Sequence, residues 1–263
     1  ATTSVMGARL FGPQVALLAP LVLATTHLFC QEAHAARMDA LLTFWVSLAM
    51  MFLVLHRDEG RLRYALGFQL ACSMGLLTKG VGVIFPWAVA WLWPRGKADQ
   101  GRPSQLFRPL PLLVLALPVA AWLAAATVSG GREYVETLLG KHVVKRYFDS
   151  LGDHNHPFWY FFADTPKQMA PWTGLLPAMI LFARATWRDR GVRFAVTWIA
   201  CMLLFFSYPP GKRGVYMLPA FPAIALLAAS ALEAVAAGHE RIRKLALPGL
   251  ALVAVLFVAV LGV

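Results

Sequence analysis

Four short stretches of this chain gather the residue types that can move protons or hold anions. The first is Gln31-Glu32-Ala33-His34-Ala35-Ala36-Arg37-Met38-Asp39, with two acids, a histidine and an arginine between two apolar runs. Its carboxylates can take a proton as general bases. The same stretch also reads as a solvated turn in which Asp39 complements the N-terminus of the next helix. The second is Leu77-Thr78-Lys79-Gly80. A lysine at an apolar edge, followed by glycine, suits close approach to a phosphate, and it equally suits a snorkelling lysine.

The third stretch runs from Lys141-His142 through Lys145-Arg146-Tyr147 to Asp153-His154-Asn155-His156-Pro157-Phe158-Trp159-Tyr160. Its histidines and aspartates include metal-ligand types, but the spacing matches no tight ligand signature, and hydrogen bonding explains each histidine as well. The fourth is Ser207-Tyr208-Pro209-Pro210-Gly211-Lys212-Arg213-Gly214-Val215-Tyr216. Its prolines and glycines predict a non-helical loop. The adjacent Lys212 and Arg213 are the strongest local pointer to an anion.

The elements that carry these stretches are apolar. The 263 residues are 59% hydrophobic and 14% charged, where a soluble domain has about 25% charged residues. The net charge of +11 does not mark a nucleic-acid binder, because the basic residues lie between apolar runs and form no single patch. Cys30, Cys72 and Cys201 stand apart in or beside apolar segments, as small buried hydrophobes do. Nine apolar segments can be drawn: Val15–Cys30, Ala40–Leu55, Tyr64–Thr78, Val81–Pro94, Pro109–Val128, Met169–Ala183, Phe194–Tyr208, Met217–Ala237 and Leu245–Val263. Several fall short of the ~17 residues a span needs. Tyr64–Thr78 and Val81–Pro94 are read as two short spans rather than one re-entrant hairpin, because the charge pattern then stays in phase. The expected fold is all-α, a polytopic transmembrane bundle forming a single domain over 1–263. The chain begins without Met and ends inside an apolar run, which reads as a fragment lacking N-terminal span(s) and C-terminal residues.

Arginines and lysines set the orientation. Arg57, Arg61, Arg63, Arg184, Arg188, Arg190 and Arg193 belong to the richer, cytoplasmic set of loops. All four chemical stretches then lie on the opposite, outer side. A long outer loop over about 129–170 holds the third of them. Tyr134, Leu138, Val143 and Tyr147 recur there at helical spacing, as in a helix lying on the membrane surface.

Four strings occur in order: "ARMDALLTFWVSLAMMFL", "LLTKG", "KHVVKRYFD" with "DHNHPFWYFF", and "SYPPGKRGVYMLPAFPAIALL". With them the chain resembles the bacterial relatives of protein O-mannosyltransferases, above all the lipid A 4-amino-4-deoxy-L-arabinose transferases. The resemblance covers essentially the whole chain. It implies a GT-C fold in the bacterial inner membrane, multi-pass, with the active site facing the periplasm. It implies a donor sugar on undecaprenyl phosphate, a lipid acceptor, contact with membrane lipids and no nucleic acid. Asp39 matches the family's acid, Lys79 the lysine of its TKG string, Arg146 and His154 its basic residues before PFWY, and Lys212 the lysine of its GK string. The family's first outer loop, with its principal catalytic acid, has no counterpart here, and Lys141 stands where a glutamate is usual.

The function expected is therefore glycosyl transfer from a polyprenyl-phosphate sugar, with Asp39 and Glu32 as the acids. Lys79, Arg146, Lys212 and Arg213 are expected on the donor phosphate. His142, His154, Trp159, Tyr160 and Tyr208 are expected in the loops around donor and acceptor. No cofactor is assigned, and a divalent cation is left open. The alternative is a transporter or flippase of an anionic lipid, which would place ionisable groups near the bilayer midplane.

Overall fold

The computed structural model describes residues 1–35, 37–94, 105–137 and 156–261, without the side chains of 132–137, 254 and 256–261. Among these residues every regular element is a helix. α1 (Thr2–Leu10) precedes α2 (Pro13–Ala24), whose leading proline sits where its missing N–H is no loss. α3 (His27–Ala35) follows the Thr25-Thr26 break at an angle of 64°. α4 (Met38–Glu59) ends on Gly60 in the left-handed region, φ 68°. α5 (Leu62–Lys79) returns, and a 3-10 turn over Val81–Val83 leads into α6 (Ile84–Leu92). α7 (Pro109–Thr137) is broken at Gly131, φ 75°. α8 (Tyr160–Gln168) comes next, and a 3-10 turn over Trp172–Leu175 opens α9 (Leu176–Ala185). α10 (Arg190–Ser207) is followed by a 3-10 turn over Gly214–Ala220, then α11 (Phe221–Ala236) and α12 (Glu240–Leu261).

The protein is a multi-pass membrane bundle. Met38–Glu59, Pro109–Gly131, Arg190–Ser207 and Gly214–Ala236 are long and apolar enough to cross a bilayer, and α2 with α3 forms one bent candidate. Val81–Leu92 and Trp172–Ala185 are shorter apolar helices. α11 lies at the centre, with every residue from Phe221 to Ala231 buried. A helix apolar on all sides is one enclosed by others, and its alanines let neighbouring backbones come close.

The bundle has two polar ends. At one, Arg9 reaches Glu59 at 3.0 Å, Arg190 pairs with Asp58, and Arg57 donates to the carbonyls of Ala90 at 2.8 Å and Trp93 at 2.9 Å. The Trp93 ring lies between Arg57 (4.3 Å) and Arg190 (5.0 Å). At the other end lie Asp39 and Lys79. α6 starts just after Lys79, and its end lies against Arg57, which donates to the Ala90 carbonyl. α5 is not among the helices long and apolar enough to cross a bilayer and Val81–Leu92 is shorter still, so the two-span reading of this pair stands as a proposal.

Three local expectations change. The run Val15–Cys30 is not one segment, because the chain bends after Ala24. Gln31–Asp39 is not a solvated turn but the end of α3 and the start of α4. Gly214–Ala220 is helical, of the 3-10 kind, despite its glycine and proline; only Tyr208–Arg213 stays a loop. Most of the expected surface helix lies outside the described residues.

Candidate functional site

Asp39 lies in the first turn of α4 and Lys79 in the last turn of α5. The antiparallel packing of the two helices brings these ends together, and the Lys79 ammonium donates to the Asp39 carboxylate. Gly80 adopts φ +66°, which lets the chain leave α5 at once, and Gly82 then lies so close to Gly75 that a Cβ would come within 2.3 Å of its carbonyl carbon. A side chain there would push the turn off α5 and take Lys79 with it. The Lys79 ammonium also stands 4.8 Å from the centre of the Tyr216 ring. Such a contact is stabilising for a partly desolvated cation. Tyr216 belongs to the 3-10 turn after α10 and packs on Phe206 at 5.4 Å.

Glu32 is 2% exposed on α3. Arg37 donates to its Oε1 at 3.0 Å, while Oε2 is buried without a partner. A buried carboxylate oxygen left without a donor is costly, and such an atom calls for an explanation. α3 and the turn Gly214–Ala220 both pack at the Asp39 end of α4.

The loop between α10 and this turn is tied down by Lys212. Lys212 is 2% exposed, and its ammonium donates to the carbonyls of His156 (2.8 Å) and Pro209 (2.7 Å). The His156 amide donates back to the Pro210 carbonyl at 3.1 Å. Burial pulls the Lys212 pKa below the ordinary lysine range. Among the described residues no carboxylate pairs with it. The Arg213 carbonyl accepts from the Tyr216 amide at 3.0 Å, and the Arg213 side chain is exposed.

Tyr160, Asp164 and Gln168 share one face of α8, at i, i+4 and i+8. The ring of Tyr160 stacks on His156 at 4.2 Å. Burial, and then Asp164, push its pKa up, while a hydrogen bond from the Gly214 backbone opposes them. A Cβ on Gly214 would meet Asp164 Oδ2 at 2.5 Å, a side-chain end that would have to turn aside. Trp159 and Tyr208 are 63% and 77% exposed.

Of the residues marked in the sequence, the structure brings together Asp39 and Lys79 by direct contact, with Lys212 and Arg213 on the loop leading to Tyr216. It places Glu32 on the neighbouring α3, and Tyr160 behind the loop. His142, Arg146 and His154 lie outside the described residues. Among the described residues no group of three or more His, Cys, Asp or Glu side chains could hold a metal ion. Sequence reasoning missed Tyr216, Asp164 and the backbone carbonyls around Lys212. The aromatic at position 216, just past the cation pair, was the one available signal.

Residues 5–124 match the family described as dolichyl-phosphate-mannose-protein mannosyltransferase. The chain is 34% identical over 222 residues to the undecaprenyl phosphate-α-4-amino-4-deoxy-L-arabinose arabinosyl transferase of Aeromonas salmonicida, covering 78% of this chain and 38% of that one. It is 32% identical over 225 residues to the enzyme of the same name in Aeromonas hydrophila, covering 79% and 39%. The chain thus spans about two fifths of the length of these curated relatives. Its fold matches the crystal structure of ArnT from Cupriavidus metallidurans bound to undecaprenyl phosphate, with a TM-score of 0.77 and 23% identity over 88% of this chain and 43% of that one.

Proposed function

This chain belongs to the protein O-mannosyltransferase-like superfamily of GT-C membrane proteins, and from that premise we propose that it moves a sugar from a polyprenyl-phosphate donor to a lipid A-like or other acceptor. The single observation that carries this reading is the Asp39–Lys79–Tyr216 cluster, with the buried Lys212 on the adjoining loop. It joins an acid to cations at one end of an apolar bundle, the place where a lipid-borne phosphate lies. That end faces the periplasm of a bacterial inner membrane, since the opposite end carries most of the arginines. Residues 1–263 act as one domain.

In the reaction, an acceptor hydroxyl attacks the anomeric carbon, and the bond from that carbon to the phosphate oxygen breaks. The polyprenyl phosphate leaves with the bonding pair, and the acceptor's proton passes to a carboxylate. Lys79, Lys212, Arg213 and Arg146 meet the charge that develops on the leaving phosphate. Asp39 fixes Lys79. Asp39 and Glu32 are the two acids available for that proton: each has one oxygen bonded, by Lys79 and by Arg37, and Glu32 Oε2 has no partner among the described residues. Trp159, Tyr160 and Tyr208 line the approach for sugar and acceptor, and the same role is proposed for His142 and His154, which lie outside the described residues. A transporter would instead need ionisable groups at mid-depth. Gln69 and Ser73 are the fully buried polar groups inside α5, and both already have hydrogen-bond partners, at 2.7 Å for Gln69 Nε2 and 2.8 Å for Ser73 Oγ.

The test is transfer of labelled sugar from an undecaprenyl-phosphate donor by the full-length protein in membranes. Transfer that falls about a hundredfold in Asp39→Asn at equal protein level supports the reading, because that is the scale of a positioned acid or base. Wild-type membranes that transfer no sugar from any polyprenyl-phosphate donor would sink it.

A further inference from the structure

α3 is short, and little apolar contact holds it in place. It has nine residues, and its buried side chains are Leu28 and Glu32, one turn apart on one face. A helix of this length is marginal on its own. Gln31 and His34, on its other faces, are exposed. Its direction must therefore come from the bend that starts it. There Thr25 Oγ1 donates to the Leu21 carbonyl and Thr26 Oγ1 to the Val22 carbonyl, each at 2.7 Å. Hydroxyls turned back on their own helix bend it, but they leave the direction of the next helix open.

Two bonds from outside fix that direction. The Trp172 indole N–H donates to Thr25 Oγ1 at 2.9 Å, and the His27 amide donates to the Ala170 carbonyl at 2.7 Å. Thr25 closes α2 and His27 opens α3, so the two bonds straddle the bend. The segment that supplies both is itself anchored. Thr173 Oγ1 donates to the Pro166 carbonyl of α8 at 2.6 Å. Gly174 meets Gly249 of α12 backbone to backbone, where a Cβ would come within 2.5 Å of Gly249 Cα. Leu175 is fully buried. The turn Trp172–Leu175 is thus a fixed post between α8 and α12, and α3 is tied to it.

We propose that Trp172 is a positioning residue for the transfer reaction: its indole N–H, through Thr25, aims α3 and so places the Glu32 carboxyl at the Asp39 end of α4. The proposal rests on the transfer reading above, in which Glu32 is one of the two acids. Glu32 lies about 7.5 Å along α3 from His27, at 1.5 Å per residue. A tilt of about 10° at the bend carries it about 1.3 Å, and a misplacement of about 1 Å costs on the order of a hundredfold in rate. A phenyl ring at position 172 would keep the packing and lose the donor, leaving the His27 amide alone to aim α3.

The experiment uses the full-length protein in proteoliposomes, with Trp172→Phe, Thr25→Val, their double variant and Thr25→Ser. Thr25→Val keeps the volume and loses the acceptor, and it decides the matter if Trp172→Phe does not fold. Thr25→Ser keeps the hydroxyl. Transfer of labelled sugar from an undecaprenyl-phosphate donor is read as kcat and donor KM. The direction of α3 is read as the distance between spin labels on His34→Cys and Lys167→Cys, both at exposed positions, in a background without native cysteines. Trp172→Phe and Thr25→Val should each lower kcat about tenfold or more, leave donor KM within about twofold, and shift the label distance. The double variant should lose no more than either single one, since both break the same bond. Thr25→Ser should behave as the wild type. Unchanged kcat, losses that multiply in the double variant, or a kcat loss with α3 unmoved overturns the proposal. A lower Tm with kcat and label distance as in the wild type overturns it too, because the bond is then only structural. A shift of α3 in a protein that transfers no sugar keeps the tie and removes the transfer reading.

Discussion

Glu32 and Arg37 form an unequal pair. The Glu32 carboxyl is buried, with one oxygen bonded and the other open, while the Arg37 side chain is 60% exposed. Removing the arginine leaves a buried charge with no donor, which costs about 1–3 kcal/mol or more. Arg37→Ala should therefore lower the Tm of the purified protein, whereas Glu32→Gln should keep the fold and lose transfer. A Glu32→Gln variant with wild-type turnover returns Glu32 to a structural role. Lys212 makes a different prediction. Its folded pKa is depressed, so its charge is lost at a lower pH than that of a free lysine. As pH rises through that value, an anion held by Lys212 is released, while the burial penalty on the charge disappears and stability rises slightly. Donor affinity should thus fall at a lower pH than a free lysine would dictate, and Lys212→Arg should move the fall to higher pH. An identical pH profile in both proteins separates Lys212 from the phosphate. The sequence marked Asp39 and Lys79 singly, as polar residues at apolar edges. Their contact was not legible, because 40 residues separate them and only the antiparallel packing of α4 on α5 closes that distance. Glu32 was read as solvated because its neighbours are polar. Leu28, one turn earlier and also buried, was the sign that this side of α3 faces inward.

At the scale of elements, two close approaches to a glycine hold the site, one by backbone and one by a side chain. The turn at Gly82 lies against Gly75, and Gly214 lies against Asp164 on α8. Gly82→Ala meets backbone, which cannot yield as a side chain can. It should lower stability by a few kcal/mol, about the range of overpacking, and displace Lys79. Gly214→Ala meets the Asp164 carboxylate. Pairing it with Asp164→Ala should restore much of the loss. A double-mutant cycle on Tm decides this, and strict additivity of the two losses means that the contact is not what requires glycine. Helix existence was well marked in the sequence by apolar runs. The bend after Ala24 was not, since Thr25 and Thr26 are weak breakers. What holds the bend is distant: the Trp172 indole donates to Thr25 Oγ1 at 2.9 Å, and the His27 amide to the Ala170 carbonyl at 2.7 Å.

The whole molecule is polar at both ends, but in different ways. One end is an interlocked set of arginines and acids around Trp93, and the other holds cations set against rings and carbonyls. Asymmetry of this kind orients a bundle in a membrane. In a background without native cysteines, Gly211→Cys should react with a membrane-impermeant maleimide added outside the inner membrane, and Arg188→Cys should not. The reverse pattern inverts the topology and moves the proposed site to the cytoplasm. The loop arginines alone carry the expectation that the cluster lies on the outer side, and the maleimide pattern decides it. The depth of each crossing was not legible, because it depends on how the helices tilt and break.

The shortness of α6 has a consequence for the lipid around it. Val81–Leu92 rises only about 18 Å at 1.5 Å per residue, against a hydrocarbon core of about 30 Å. Its flank is bare to the surroundings, with Trp91 75% and Leu92 64% exposed. Acyl chains beside it must shorten or tilt to avoid wetting, so this flank is a dimple in an otherwise ordinary bilayer. Such mismatch costs fractions of a kcal/mol per Å, enough to gather shorter or more disordered lipids there. Turnover should accordingly rise in reconstituted bilayers of shorter acyl chains and fall in thick, sterol-stiffened ones.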